Sequence, residues 1–198
     1  MFVLLSCQAI EQYEEKTYTA DIQPLNESVT GRSPNGSATL EIKGDSLTIS
    51  VEMMDLPPDM MHLQHYHGFL DGTRARCAGM DQDDNNDGII DLIETEQVSG
   101  ITLVPFHDNP ASLQIKTETY PMADQNGNFS YKKTVSLVEL KNNLRETHNI
   151  EEIQIENRVV YIHGISQDES LPETVQSLPD VPAHITLPIA CGELKLVE

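Results

Sequence analysis

The sequence predicts an all-β sandwich or barrel carrying long, decorated loops. Three observations lead there: apolar residues recur at every second position, turn signals separate the runs, and helical periodicity is weak. Ala38, Leu40 and Ile42 alternate with Thr39, Glu41 and Lys43; Leu47, Ile49, Val51 and Met53 alternate with Thr48, Ser50 and Glu52. Successive side chains of a strand point to opposite faces, so each run offers one face to a core and one to water.

The elements follow in order. Residues 8–15 read as a polar tether and residues 16–198 as one domain, with no repeat and no internal linker. Gly44-Asp45 is a hairpin turn between the two alternating runs, and Leu56-Pro57-Pro58 ends the second. Residues 62–69 read as another strand. Asn126-Gly127 is a hairpin signal leading into a strand through Tyr131. Residues 158–163 and 185–197 are late strands. The helical candidates are a turn after Ile90 and residues 138–146. The proline- and acid-rich stretch 167–182 reads as one long loop, and loops of that length are often functional.

A chain of 198 residues can bury a core of its own. It has 12 Lys and Arg against 32 Asp and Glu, a formal charge of −20. That excludes the basic surface that nucleic acids and anionic membranes require. It favours metal ions as partners. Val3, Leu4, Leu5 and Ser6 precede Cys7, like the end of a bacterial lipoprotein signal, although a basic leading segment is missing. On that reading residues 1–7 are a signal remnant and Cys7 is the lipidation site. The protein is then exported to the bacterial periplasm or cell surface and lipid-anchored, with no other membrane attachment. Setting Cys7 aside leaves Cys77 and Cys191, an even pair that suits a disulfide in an oxidising compartment.

Residues 83–94 read DDNNDGIIDLIE and fit the twelve-residue EF-hand calcium loop. Asp83, Asn85 and Asp87 take the first three ligand places, and Gly88 is the turn glycine. Ile89 supplies a backbone carbonyl, Asp91 follows, and Glu94 closes the loop. Ca²⁺ is hard and takes six to eight oxygens, which alternate side chains on a tightly wound loop deliver. An acidic surface turn is the bland reading of the same residues.

A second chemistry sits in residues 60–67, MMHLQHYH. Alternate residues of a strand share a face, so His65 and His67 can share a metal. Imidazole suits copper and zinc, and the thioethers of Met53, Met54, Met60 and Met61 nearby suit Cu(I). His163 and His107 are candidates to complete the site from neighbouring strands and loops. His62 reads as a structural hydrogen-bonder, and His148 and His184 as surface or loop residues. The methionines read equally well as core filler.

Four stretches together resemble Cu/Zn superoxide dismutases. The spacing of His62, His65 and His67 matches a strand of the form G-L-H-G-F-H-V-H. His107-Asp108-Asn109-Pro110 matches H-F-N-P, residues 158–163 match a strand running from an arginine to a copper-ligand histidine, and residues 187–192 match the last strand. Residues 123–127 are similar to a hairpin of that family. The resemblance spans residues 36–197 and implies a Greek-key sandwich or barrel. It also implies copper at His65, His67, His107 and His163, and a disulfide between Cys77 and Cys191. Bacterial CHRD domains, similar in strand-turn-strand style, are equally compatible.

The chain departs from that family in three ways. The stretch between Cys77 and His107 is longer, and the calcium loop lies within it. No histidine or aspartate lies between Pro110 and Met122, so zinc of the usual kind is not expected. Pro188 stands where the family has an arginine that draws in the superoxide anion. The expectation is therefore a cell-envelope, calcium-binding domain with a binding or structural role rather than an enzyme. The alternative is a copper-binding protein or a copper-only dismutase.

Overall fold

The computed structural model describes residues 15–115, 118–167 and 170–197. Within them nine strands form one continuous antiparallel sheet. These are β1 (Lys16–Pro24), β2 (Asn35–Lys43), β3 (Ser46–Met54), β4 (Leu63–Gly68), β5 (Ile101–Pro105), β6 (Phe129–Ser136), β7 (Val159–His163), β8 (Pro188–Glu193) and β9 (Lys195–Leu196). Their spatial order is β5-β4-β7-β8-β1-β2-β3-β6, with β9 added to β1. The all-β expectation holds.

β1 turns the corner of this sheet. Lys16 to Ile22 pair with β2, while Gln23 and Pro24 pair with β8. One strand thus belongs to two halves, and the sheet curls around the core. Leu40, Ile49 and Val51 from one half and Tyr66, Val160 and Ile189 from the other are fully buried there. The links β3–β4, β5–β6 and β6–β7 cross between the halves, as in a Greek key.

The alternating runs pair as expected around Gly44, with Leu40 opposite Ile49. The sequence reading passed over β1 and β5. In β1 only Tyr18, Ala20 and Ile22 are buried, and they stand among threonines and an aspartate. The turn at Asn126-Gly127 forms, with Gly127 at φ 77 and the Asp124 side chain accepting from the N–H groups of Asn126 and Asn128. It does not join paired strands, however. β6 pairs with β3, while the segment before the turn meets the chain leading into β4 at Met61 and Met122. The expected strand at 185–197 is also divided. Residues up to Thr186 belong to a short helix, Ala183–Thr186, and pairing starts at Pro188.

Helices decorate the links. The expected helix near 138–146 is Leu137–His148, capped by the Ser136 side chain and closed by Asn149 at φ 56. It buries Leu137, Leu140 and Leu144, which are spaced to share one face. The helix after Ile90 is Leu92–Ser99. Asp91 and Glu94 cap it reciprocally. Between Gln167 and Pro182 the described residues form no helix or strand, as expected.

A disulfide joins Cys77 to Cys191, closing a separation of 114 residues with Cα atoms 5.8 Å apart. It ties the insertion after β4 to β8. A disulfide is compatible with an extracellular location. No helix among the described residues is long and apolar enough to cross a membrane. Cys7, the signal-like residues 1–7 and the tether as far as residue 14 lie outside the described residues.

Candidate metal centre

β4 and β7 are neighbours, and their pairing puts Leu63 opposite His163 and His65 opposite Tyr161. This brings His65, His67 and His163 together. One ring nitrogen from each lies within 4.8 Å of the others. The ring centroids are 5.2 to 5.8 Å apart. Two β-bulges sit at the site. The β4–β5 register shifts between Tyr66 and His67, and the β7–β8 register between Ile162 and His163. Bulges re-aim side chains and recur beside functional sites.

The protein's own hydrogen bonds engage one nitrogen of His163 and one of His67. His163 Nδ1 lies 2.8 Å from the Thr186 carbonyl, which only accepts, so Nδ1 carries the proton and Nε2 keeps its lone pair. His67 Nε2 shares a 3.2 Å hydrogen bond with Thr102 Oγ1, and the two groups can each donate or accept. Neither nitrogen of His65 has a partner, and neither do His67 Nδ1 and His163 Nε2. Outer partners of the Thr186 and Thr102 kind fix ring orientation at metal sites. Gly100, at φ 69, packs the start of β5 onto Gly68 so closely that a Cβ there would lie 2.2 Å from the Gly68 carbonyl oxygen.

The rings are 4%, 1% and 1% exposed for His65, His67 and His163. Burial makes the charged form costly and holds all three neutral. The His67 pKa falls to about 3 and that of His163 to about 4, in both cases chiefly through desolvation. His65 falls well below its usual range by burial and by the three other histidines around it. Bare lone pairs on neutral imidazoles are what a transition metal binds. Tyr161 packs on His67 at 5.0 Å. It accepts a hydrogen bond from the Ala78 N–H and shares one with Ser99. Tyr120 meets both His65 and His107 edge-on, and its hydroxyl is buried without a partner.

His107 is not brought into the group. Its Nδ1 accepts from the Asn109 N–H at 3.0 Å, and its Nε2 donates to the Gln114 carbonyl at 2.6 Å. Both nitrogens are therefore taken by the protein. The Asp108 carboxylate lies 3.1 Å from the same Nδ1. His62 is structural, as expected, with its ring nitrogens 3.1 and 2.9 Å from the carbonyls of His163 and Pro57, one of which takes its N–H when the ring is neutral. Pro188, where an arginine was looked for, lies opposite His163 in the ladder.

The acidic loop is organised differently. Gly88 (φ 81) and Asn86 (φ 60) wind it tightly. Asp83 accepts from the N–H groups of Asp87 and Gly88, Asn85 from Asp87, and Asp87 from Ile89. Glu94 accepts from Asp84 and Asp91, and Asp91 accepts from Glu94 and from Gln176. Among the described residues, only the histidines bring three metal-binding side chains of the His, Cys or carboxylate type within 4.8 Å. The Glu94 pKa is raised, mainly by burial and further by Asp91. Sequence reasoning missed Thr102, Thr186, Tyr120 and Tyr161. Nothing in their sequence neighbourhood marks them, because each reaches the site through a distant pairing.

No protein-family profile and no curated protein matches the chain. Among solved structures it is similar to the Cu/Zn superoxide dismutase from Brucella abortus. That match covers 90% of this chain and 99% of that one, at 16% identity and a TM-score of 0.43.

Proposed function

We propose that this chain is an exported copper-binding domain that holds a single ion at His65, His67 and His163. The supporting observation is the set of bare imidazole nitrogens in a neutral, buried cluster. A buried polar atom without a partner costs about 1–3 kcal/mol, and a metal ion removes that cost at several atoms together. Copper fits better than zinc. Structural zinc takes four ligands, and catalytic zinc keeps an open position for water. Three nitrogens closed off from solvent suit Cu(I), which accepts three ligands.

The role is binding or structural rather than turnover. An anionic substrate needs a path and a local positive charge. Here the ligands are nearly inaccessible, the ladder position opposite His163 is a proline, and the chain carries a charge of −20. The acidic loop belongs to the same proposal as a Ca²⁺ site. Its residue pattern, its winding at Gly88 and the unfavourable proximity of Asp91 and Glu94 support a bound cation.

Metal analysis tests this. After Cu(I) loading and dialysis, the protein should retain a single copper, and His65→Ala with His67→Ala should retain none. Copper held equally by the double variant would sink the reading. Superoxide consumption well above that of free copper would instead establish the dismutase alternative.

A further inference from the structure

We propose that Met61 and Met122 form a surface thioether site that takes up Cu(I) and loads the buried histidines. The proposal rests on the copper reading above and adds the route by which the ion arrives. The three rings are at most 4% exposed, so an ion must pass through a rim of the site. The rim beyond His67 is filled by Tyr161, Ser99 and Thr102. On the other side, the chain leading into β4 carries Met60 and Met61.

Met61 and Met122 form an antiparallel bridge. The flanking bonds run from the His62 N–H to the Pro121 carbonyl and from the Ala123 N–H to the Met60 carbonyl, at 3.1 and 2.9 Å. This makes Met61 and Met122 a non-hydrogen-bonded pair. In such pairs the Cα atoms lie about 4.5 Å apart and the side chains are closest. Leu63 and His65 are alternate residues of β4 and share a face, and Met61 lies two residues before Leu63 in the chain leading into that strand. Leu63 lies opposite His163, so Met61 stands about 7 Å along the strand from the residue facing that ligand. Tyr120, two residues before Met122, rests its ring on His65. Met60 adds its methyl group beside Gly164, immediately after His163.

Core filling does not account for Met122, which is 64% exposed. Thioether sulfur is soft, so the pair selects Cu(I) over the hard cations that a strongly negative surface also gathers. Transfer inward is a ligand exchange in which imidazole nitrogens replace thioether sulfurs. The copper stays Cu(I) throughout, so no electron moves.

The test uses the full metal-free chain under anaerobic conditions, with Cu(I) supplied as its coloured bicinchoninate complex. Met61→Ile with Met122→Ile should slow copper transfer by about tenfold, the scale on which losing a supporting group affects a metal site. The final occupancy should not change. Met122→Gln alone, at an exposed position, should slow transfer less. Met54→Ile with Met80→Ile, at the other exposed methionines among the described residues (56% and 59%), should leave the rate unchanged. In a titration with Ag(I), the methyl resonances of Met61 and Met122 should shift before those of Met54 and Met80. Equal transfer rates in the wild type and the Met61/Met122 double variant would overturn the proposal, as would a silver titration with no preference for that pair. A wild-type protein that never reaches a single bound copper would fail the histidine reading itself, and the loading role with it.

Discussion

The three-histidine cluster and the acidic loop treat their ligand atoms in opposite ways. In the loop, the carboxylates and the Asn85 carbonyl accept N–H groups, so the unloaded loop is already a set of closed turns and a helix cap. In the cluster, both nitrogens of His65 and one each of His67 and His163 have no hydrogen-bond partner. A cation entering the loop displaces or shares existing bonds and gains mainly by relieving like charges. A metal entering the cluster displaces no bond. The loop is closed by its own hydrogen bonds, whereas the cluster leaves ring nitrogens that a metal ion would satisfy.

Severing the link between the two regions should have the largest effect. Cys77→Ser with Cys191→Ser releases the loop-bearing insertion from β8 and should cost about 4–5 kcal/mol for a bridge over so long a separation. Urea unfolding measures it, and a cost near zero would mean that the insertion is held by other contacts.

Acid separates the regions next. Unfolded histidine titrates near 6.5, whereas His67 and His163 in the fold titrate at about 3 and about 4. Between those values the unfolded chain binds more protons. Stability of the metal-free protein should therefore fall as pH drops from 6.5 toward 3, by up to about 1.4 kcal/mol per pH unit for each ring. Above 6.5 neither ring contributes a slope. His67→Leu should flatten the slope, and an unchanged slope would mean that these rings are not held neutral.

Two substitutions then sharpen the contrast, both measured in chelator. Asp91→Ala removes the cap on Glu94 and the acceptor for Gln176, and should destabilise by about 2 kcal/mol. His65→Leu removes two buried atoms without partners, and should stabilise the metal-free fold by about 1 kcal/mol while abolishing copper retention. If His65→Leu weakens the metal-free protein as much as Asp91→Ala does, the two regions do not differ as described.

Much of this was legible beforehand because it is local. The hairpin from Asn35 to Met54 follows from period-two alternation around a turn glycine. The helical turn after Ile90 was expected, while the reciprocal cap of Asp91 and Glu94, read beforehand only as loop ligands, was not. His65 and His67 had to share a face because a strand has that period. The Asn126-Gly127 turn was also legible, but its consequence was not. Its flanks pair with β3 and with Met61, choices made by residues far along the chain. The surroundings of His107 were hidden for a related reason. Its short motif matched a ligand pattern, yet Gln114 and Asn109 take up both of its nitrogens.

By itself the sequence determined the strand periods, the acidic loop's winding, the shared face of His65 and His67, and a surface hostile to anions. Those depend on side-chain type and near neighbours, which the order of residues fixes directly. Only the tertiary structure decided that His163 joins the pair, that bulges fall at His67 and His163, and that Met61 bridges Met122. Each depends on strands far apart in the chain finding their register, and that register is set by burial of the whole core.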